Sequence, residues 1–123
     1  MDTSRQFDRP QAPSWGWFWQ AVTGIGLIVL LALHMIAHHF VVPEGLRNFQ
    51  EVQDYLRTPI IVILEVLFLA AVVPHALLGV RAILFDLGLS ERAEKRVSRA
   101  LTVIGALTIG YGLWLTWTIT QFK

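Results

Sequence analysis

Apolar residues along the chain form three long runs, separated by two shorter polar stretches. The runs cover residues 15–40, 58–85 and 100–119. Each reaches the ~20 residues that an α-helix needs to cross the hydrocarbon core of a bilayer. A helix satisfies its backbone hydrogen bonds internally, so it is one of the few structures that can span lipid. The pattern predicts an all-α integral membrane protein with three transmembrane helices, in one anchor domain over residues 15–123.

Composition narrows the class further. Of the 123 residues, 54% are hydrophobic and 15% are charged. The chain has no cysteine, which excludes disulfides, iron–sulfur ligation by this chain and the thioether attachment of a c-type haem. We expect membrane lipid, and not nucleic acid, as its surroundings.

The polar segment 1–14 lacks the basic-then-apolar pattern of a secretory signal, so the first span is expected to stay in the mature protein. Seven basic residues flank the spans on the side of this segment and three on the other. The positive-inside rule then predicts a cytoplasmic N-terminal tail, 1–14, and a multi-pass protein of a bacterial or archaeal cytoplasmic (inner) membrane. The first group is Arg5, Arg9, Arg81, Arg92, Lys95, Arg96 and Arg99; the second is Arg47, Arg57 and Lys123.

Two histidines fall at membrane depth, where an ionisable side chain is costly and usually functional. At ~1.5 Å per residue, His34 lies about 28 Å along its helix from Trp15, and His75 roughly 15 Å from Phe85. The two ligands of a bis-histidine haem must approach one iron at nearly the same depth. We therefore predict that each histidine supplies one axial ligand, a second membrane subunit supplies the other, and one or two haems b are bound. The alternative is a hydrogen bond to a neighbouring helix.

Small and basic residues near these histidines extend the prediction. Gly79 follows His75 by four residues on the same helix face, where a porphyrin or a neighbouring helix could come close. Gly24 and Gly26 could serve the first span in the same way. Arg81, near the inner end of its span, could pair with a haem propionate or act as a positive-inside anchor.

Three further polar residues occupy the other side of the membrane. We expect His38 and His39 to face solvent or lipid headgroups. For Glu65 a structural pairing is favoured over a proton path or snorkelling to the surface. The spacing of Leu46, Phe49, Val52 and Leu56 predicts a short amphipathic helix on the outer interface, between the first two spans.

Two spacings resemble a known family. Gly24 precedes His34 by ten residues, and the second span carries His75-x3-Gly79-x-Arg81-x4-Asp86-x-Gly88. Both resemble the cytochrome b membrane-anchor subunits of succinate dehydrogenase and fumarate reductase, over about residues 15 to 120. The resemblance implies a heterodimeric helix bundle with a second membrane-anchor subunit, below an iron–sulfur subunit and a flavoprotein subunit.

The resemblance also implies roles for individual residues. His75 would be the axial ligand of the haem nearer the iron–sulfur subunit, and His34 the ligand of a more distant haem. Ala21 and Trp17 stand where relatives often carry an arginine and a small polar residue, so the partner would supply the main polar contacts to quinone. The residues expected in the wall of the quinone pocket are Trp17, Trp19, Gln20, Thr23 and Asp86.

The expected function is that of a membrane-anchor subunit which shares haem b with its partner and helps transfer electrons from iron–sulfur clusters to quinone. The chain would have no dehydrogenase activity alone, because the cofactors carry the chemistry. Two alternatives remain: a structural anchor without haem, and a cytochrome b subunit of another membrane redox enzyme, such as a hydrogenase or formate dehydrogenase.

Overall fold

The computed structural model describes residues 15–41 and 48–121, which are almost entirely helical. This part of the chain contains no strand, so the predicted all-α class is confirmed. The predicted cytoplasmic tail, residues 1–14, lies outside it. The elements are α1 (Trp15–Ile36), a π-helical turn (Ala37–Val41), α2 (Phe49–Leu56), α3 (Pro59–Asp86) and α4 (Glu91–Gln121).

Three helices are long and apolar enough to cross a membrane: α1 with the first part of its π-helical turn, α3 and α4. The first two agree with the predicted spans to within one residue at each end. The third differs, because α4 begins at Glu91 and not at Ala100. Ser90 starts it early: its carbonyl accepts from Glu94 N at 2.9 Å and its hydroxyl from Ala93 N at 3.4 Å. The charged stretch before the third span is therefore part of the same helix.

The helix ends follow from local chemistry. The side chain of Asn48 caps α2 by accepting from the backbone N–H of Glu51 at 2.9 Å. Pro59 occupies the first turn of α3, where its missing N–H costs nothing. Beyond the other end of α3, Gly88 adopts φ +73°, a left-handed conformation that glycine reaches without steric cost.

Helix α3 organises the bundle. It packs against both α1 and α4, whereas α1 and α4 stand apart, with no Cα atom of one within 8 Å of a Cα atom of the other. The α3–α4 contact is close because glycines of α4 face leucines of α3. A Cβ atom on Gly105 would lie 2.7 Å from Leu77 Cδ1, and one on Gly112 would lie 2.6 Å from Leu69 Cδ2. The missing side chains let the two helices approach.

Most apolar side chains remain exposed in the isolated chain. Among the described residues, those buried are Ala37, Gln53, Tyr55, Ile61 and Gly105. Large apolar residues in mid-span, such as Ile28 and Leu107, are 73% and 68% exposed. In water such a surface would aggregate. It fits a chain whose helices face lipid and other membrane helices.

We expect Gly112→Ala to weaken the α3–α4 contact, because the new methyl group would overlap Leu69. Overpacking costs about 1–3 kcal/mol, which outweighs the ~1 kcal/mol that alanine gains over glycine in a helix. Thermal unfolding of the detergent-solubilised protein measures the effect. Gly110→Ala is the matched control, since its Cβ would meet no atom within 4 Å. Equal stability of the two variants would contradict this role for Gly112.

Candidate functional site

His75 lies in α3 and directs its ring into the contact with α1. Its Nδ1 atom is 3.2 Å from the backbone carbonyl oxygen of Gln20 and 3.2 Å from the hydroxyl of Thr23. Both partners lie on α1, within one turn of each other. The imidazole therefore ties the two spanning helices together through a single ring nitrogen.

The partners of Nδ1 determine the tautomer of His75. A carbonyl oxygen can only accept a hydrogen bond, so Nδ1 must carry the proton. The Thr23 hydroxyl lies 2.6 Å from the Trp19 carbonyl, to which it donates, which leaves its oxygen free to accept from His75. In the neutral ring the other nitrogen, Nε2, then keeps its lone pair. Metal-binding histidines are commonly oriented in this way, with the second nitrogen donating to a carbonyl or carboxylate.

Two predicted glycines lie against this contact. A Cβ atom on Gly24 would be 3.1 Å from His75 Cε1, so the glycine makes room for the imidazole. A Cβ atom on Gly79 would be 3.3 Å from Gln20 Nε2. Of the two neighbours expected for Gly79, a porphyrin or a helix, the structure places a side chain of the neighbouring helix there.

Arg81 lies two residues beyond Gly79 in α3 and points toward α4. Its Nε donates to Ser98 Oγ at 3.1 Å, and its guanidinium carbon lies 4.3 Å from the centre of the Phe85 ring. The guanidinium is thus held by a hydrogen bond and a cation–π contact. Its predicted pairing with a haem propionate stays a prediction.

Because α1 and α4 stand apart, α3 forms the floor of a cavity between them, with a volume of about 790 Å³. Its walls are mostly apolar, and Pro74 contributes to them. Proline has no N–H, so the Ala70 carbonyl one turn earlier lacks its helical hydrogen bond. Of the residues predicted to line the quinone pocket, Trp19 and Thr23 lie in the cavity wall.

The other residues predicted for that pocket lie elsewhere. Trp17, Gln20 and Asp86 are outside the cavity wall. Trp17 is 62% exposed on the surface of α1, and Gln20 turns toward Gly79 in the α1–α3 contact. Arg81 and Ser98 line the cavity instead, at the end where α4 begins.

A second polar group, which we call the Glu65 cluster, consists of His34, His38, Tyr55, Glu65 and Phe68. Glu65 Oε1 lies 3.2 Å from His34 Nδ1 and 3.5 Å from His38 Nε2. The two imidazole centroids are 4.1 Å apart, and the His34 ring stacks on Phe68 at 5.2 Å. Glu65 was expected to pair with an arginine or histidine of a partner subunit, whereas the structure places two histidines of the same chain beside it. His38, expected to face solvent or headgroups, is half-buried and lies beside Glu65 and Tyr55. His39 is exposed.

The Glu65 cluster contains polar atoms whose hydrogen-bonding capacity is unused. His34 Nδ1 is buried and close to Glu65, but it is not aligned for a hydrogen bond and has no other partner among the described residues. The buried Tyr55 hydroxyl is unpaired in the same sense. Burial and, second, the negative charge of Glu65 raise the pKa of Tyr55 above its usual 10.0.

The two predicted histidine ligands lie at different levels of the bundle. His75 meets α1 at Gln20 and Gly24, whereas His34 meets α3 at Glu65 and Phe68. Ten helical residues separate Gly24 from His34, which is about 15 Å along the axis.

The sequence did not predict that His75 contacts the Gln20 carbonyl and the Thr23 hydroxyl. It also did not predict that Tyr55 belongs to the Glu65 cluster. A signal for the α1–α3 contact does exist. Its residues follow a 3.5-residue repeat in both helices, the spacing of a helix packing seam. In α1 the repeat runs through residues 20, 24, 34 and 38, and in α3 through residues 65, 68, 75 and 79.

The fold and this contact define a multi-pass helical membrane protein with an oriented histidine between two of its spans. Residues 2–114 match the family model described as the succinate dehydrogenase/fumarate reductase transmembrane subunit. The chain therefore belongs to this family. It is a membrane-anchor subunit of succinate dehydrogenase or fumarate reductase, so other subunits of such a complex are its partners.

Two curated relatives agree with the family. The chain is 35% identical, over 97% of both sequences, to the succinate dehydrogenase hydrophobic membrane anchor subunit of Archaeoglobus fulgidus. It is 30% identical, over 85% of both, to the protein of the same name from Thermoplasma acidophilum.

Proposed function

We propose that this chain binds haem b through His75, shares it with a second membrane-anchor subunit, and helps carry electrons from iron–sulfur clusters to quinone. The iron–sulfur and flavoprotein subunits would carry the upstream chemistry. The membrane would be the cytoplasmic membrane, with the N-terminus on the cytoplasmic side, as the basic residues predict.

The observation that carries the proposal is the state of the His75 ring. Nδ1–H is engaged by the Gln20 carbonyl and the Thr23 hydroxyl, each at 3.2 Å, and Gly24 leaves space for the ring edge. This arrangement fits an axial ligand, because it holds the ring in place and leaves the Nε2 lone pair for iron.

Bound haem would supply one-electron transfer, and this chain would orient it and tune its potential. A carbonyl partner on Nδ1 increases the electron density of the ligating nitrogen. Arg81 lies six residues after His75, near the end of α3, within reach of an anionic substituent in this part of the bundle. The second axial ligand would come from the partner subunit.

The partner also follows from the packing. The apolar faces of α1 and α4 stand apart and do not cover each other, and they keep much of their exposure. Helices of a second anchor subunit would cover such faces and would bring a second histidine to the haem. This support is physical and independent of the family.

For quinone, the cavity between α1 and α4 is the best candidate in this chain. Its apolar walls suit an isoprenoid-substituted ring, and Trp19, Thr23 and Arg81 offer an aromatic face and polar groups at one end. The partner would complete the pocket, since Ala21 and Trp17 replace the polar residues common in relatives.

The second predicted haem ligand, His34, has weaker support. A haem there would need its Nε2 atom, while its Nδ1 atom faces Glu65 at 3.2 Å. Ligation by His34 stays a prediction, which the haem count of the complex tests directly.

We expect His75→Ala to remove one haem b from the purified complex, because no other side chain among the described residues lies beside Gly24. A pyridine haemochrome assay, expressed as haem per flavin, measures the loss. His39→Ala is the matched control and should keep the wild-type ratio. His34→Ala should remove a second haem only if the wild-type ratio is near two.

Full haem content in His75→Ala would reject the assignment of the ligand. A wild-type complex without a b-type absorption band would favour the structural anchor without haem. Co-purification of a hydrogenase or formate dehydrogenase, without a flavoprotein, would favour the other redox enzymes and conflict with the family.

Gly24→Ala should loosen haem without abolishing ligation. Its methyl group would press on His75 Cε1, and disturbing the support of a metal-ligating histidine commonly weakens binding about 10–100-fold. Haem retained after repeated detergent washing is the readout. Gly26→Ala is the matched control, because its Cβ would meet no atom within 4 Å. Equal retention in the two variants would argue against an oriented ligand.

Trp19→Ala should lower the succinate:quinone activity of the complex by roughly fivefold, which corresponds to loss of about 1 kcal/mol of aromatic contact. Reduction of a soluble dye by the flavoprotein should not change. Trp17→Ala, on the same helix but outside the cavity wall, should retain quinone activity. The reverse pattern would move the quinone pocket to the other face of α1.

A further inference from the structure

Beyond the proposed function, the Glu65 cluster has the geometry of a metal centre. We infer that His34 Nδ1, His38 Nε2 and a Glu65 carboxylate oxygen bind a divalent transition-metal ion of the Zn²⁺ type. The site is separate from His75 and joins the end of α1 to the first part of α3.

Distances support this ligand set. The three donor atoms lie within 4.8 Å of one another. A tetrahedral zinc centre with bonds of about 2.0–2.1 Å places its ligand atoms roughly 3.3 Å apart. The two pairs that involve Glu65 Oε1, at 3.2 Å and 3.5 Å, already have this spacing. Two histidines and one carboxylate are a common protein ligand set for zinc, with the fourth position left to water.

Unused polar atoms also point to an ion. A hydrogen-bonded histidine–carboxylate pair would be the simplest alternative, and His38 Nε2 makes one with Glu65 at 3.5 Å, but that pair leaves His34 Nδ1 without a hydrogen-bond partner within residues 15–41 and 48–121. His34 Nδ1 lies 3.2 Å from the carboxylate and is not aligned for that bond. A cation between the three groups would be met by the nitrogen lone pair instead. A water on that cation would give the Tyr55 hydroxyl the hydrogen-bond partner that it lacks among the described residues.

Charge leads to the same conclusion. Glu65 sits inside a membrane-spanning helix, where an unpaired carboxylate is costly. Within the described part of the chain its ion-pair partners are histidines, and no lysine or arginine pairs with it. A divalent cation would compensate the carboxylate while leaving both imidazoles neutral, as metal ligation requires.

The backbone and the position of the cluster suit an ion from the aqueous phase. His38 lies in the π-helical turn that ends α1, and such turns are rare and frequent at functional sites. Glu65 is six residues from the start of α3, or about 9 Å along its axis. The side chains of His34, His38 and Glu65 are 24%, 27% and 24% exposed. An ion would reach them without crossing the membrane.

The test uses the assembled complex, stripped with a chelator and dialysed against Zn²⁺ alone. Elemental analysis gives zinc per copy of this chain, and competition with a chelating dye gives its Kd. We expect His38→Ala and Glu65→Gln each to lose one zinc, or to raise the Kd at least ~10-fold, the lower bound typical for loss of even a supporting residue. His39→Ala should bind as the wild type does. Haem content controls for assembly of every variant.

Three outcomes would overturn the inference. Zinc binding that survives in both His38→Ala and Glu65→Gln would place the ion elsewhere. An equal loss in His39→Ala would indicate unspecific surface binding. A complex that takes up no zinc, with one haem lost in His34→Ala, would assign His34 to a second haem. His75 takes no part in this site. The haem count therefore tests the proposed function and the zinc count tests this inference, and either can be contradicted without the other.

Discussion

The hydrogen bond from His75 Nδ1 to the Gln20 carbonyl is the interaction on which the rest of the site depends. That carbonyl belongs to α1, so the bond determines both the tautomer of the imidazole and the alignment of α3 against α1. A carbonyl has two lone pairs, and it can accept this bond while remaining part of its own helix. Gly24 and Gly79 make the approach possible, since each lies opposite a side chain of the other helix. In a medium without water, a histidine placed here without these partners would be costly.

The alignment set at His75 also decides what happens at the other end of the same helix pair. With His75 opposite Gln20 and Gly24, Glu65 necessarily arrives opposite His34 and His38, because both helices repeat their contacts every 3.5 residues. The α1–α3 contact therefore carries an oriented histidine at one level and the Glu65 cluster at another. The contact between α3 and α4 is of a different kind, because it depends on small residues and contains few polar groups.

Much of this architecture could be predicted from the sequence, for reasons that differ between features. The spans can be predicted because the thickness of the bilayer sets their length, and the first two observed spans lie within one residue of the predicted bounds. The predicted third span covers only the apolar part of α4, because the charged segment after Ser90, itself typical of a helix start, continues into it without a break. The inward position of His38 was missed because it depends on the alignment of two helices. That alignment depends on a backbone carbonyl, and every residue has one, so the sequence does not mark it. The 3.5-residue repeat shared by α1 and α3 was the feature of the sequence that could have predicted the contact.

The exposed apolar surface explains why a chain of this kind is an incomplete unit. A three-helix protein in water would close α1 onto α4 to bury their faces. In lipid the hydrophobic effect gives no such drive, and packing between small residues and specific polar contacts decides which helices meet. Here those contacts join α3 to each neighbour, whereas α1 and α4 stand apart. The resulting cavity, with Trp19 on one side and Gly105 on the other, can be closed by a ligand or a partner helix at little cost. Helices that remain apart in one subunit are thereby available for assembly with another.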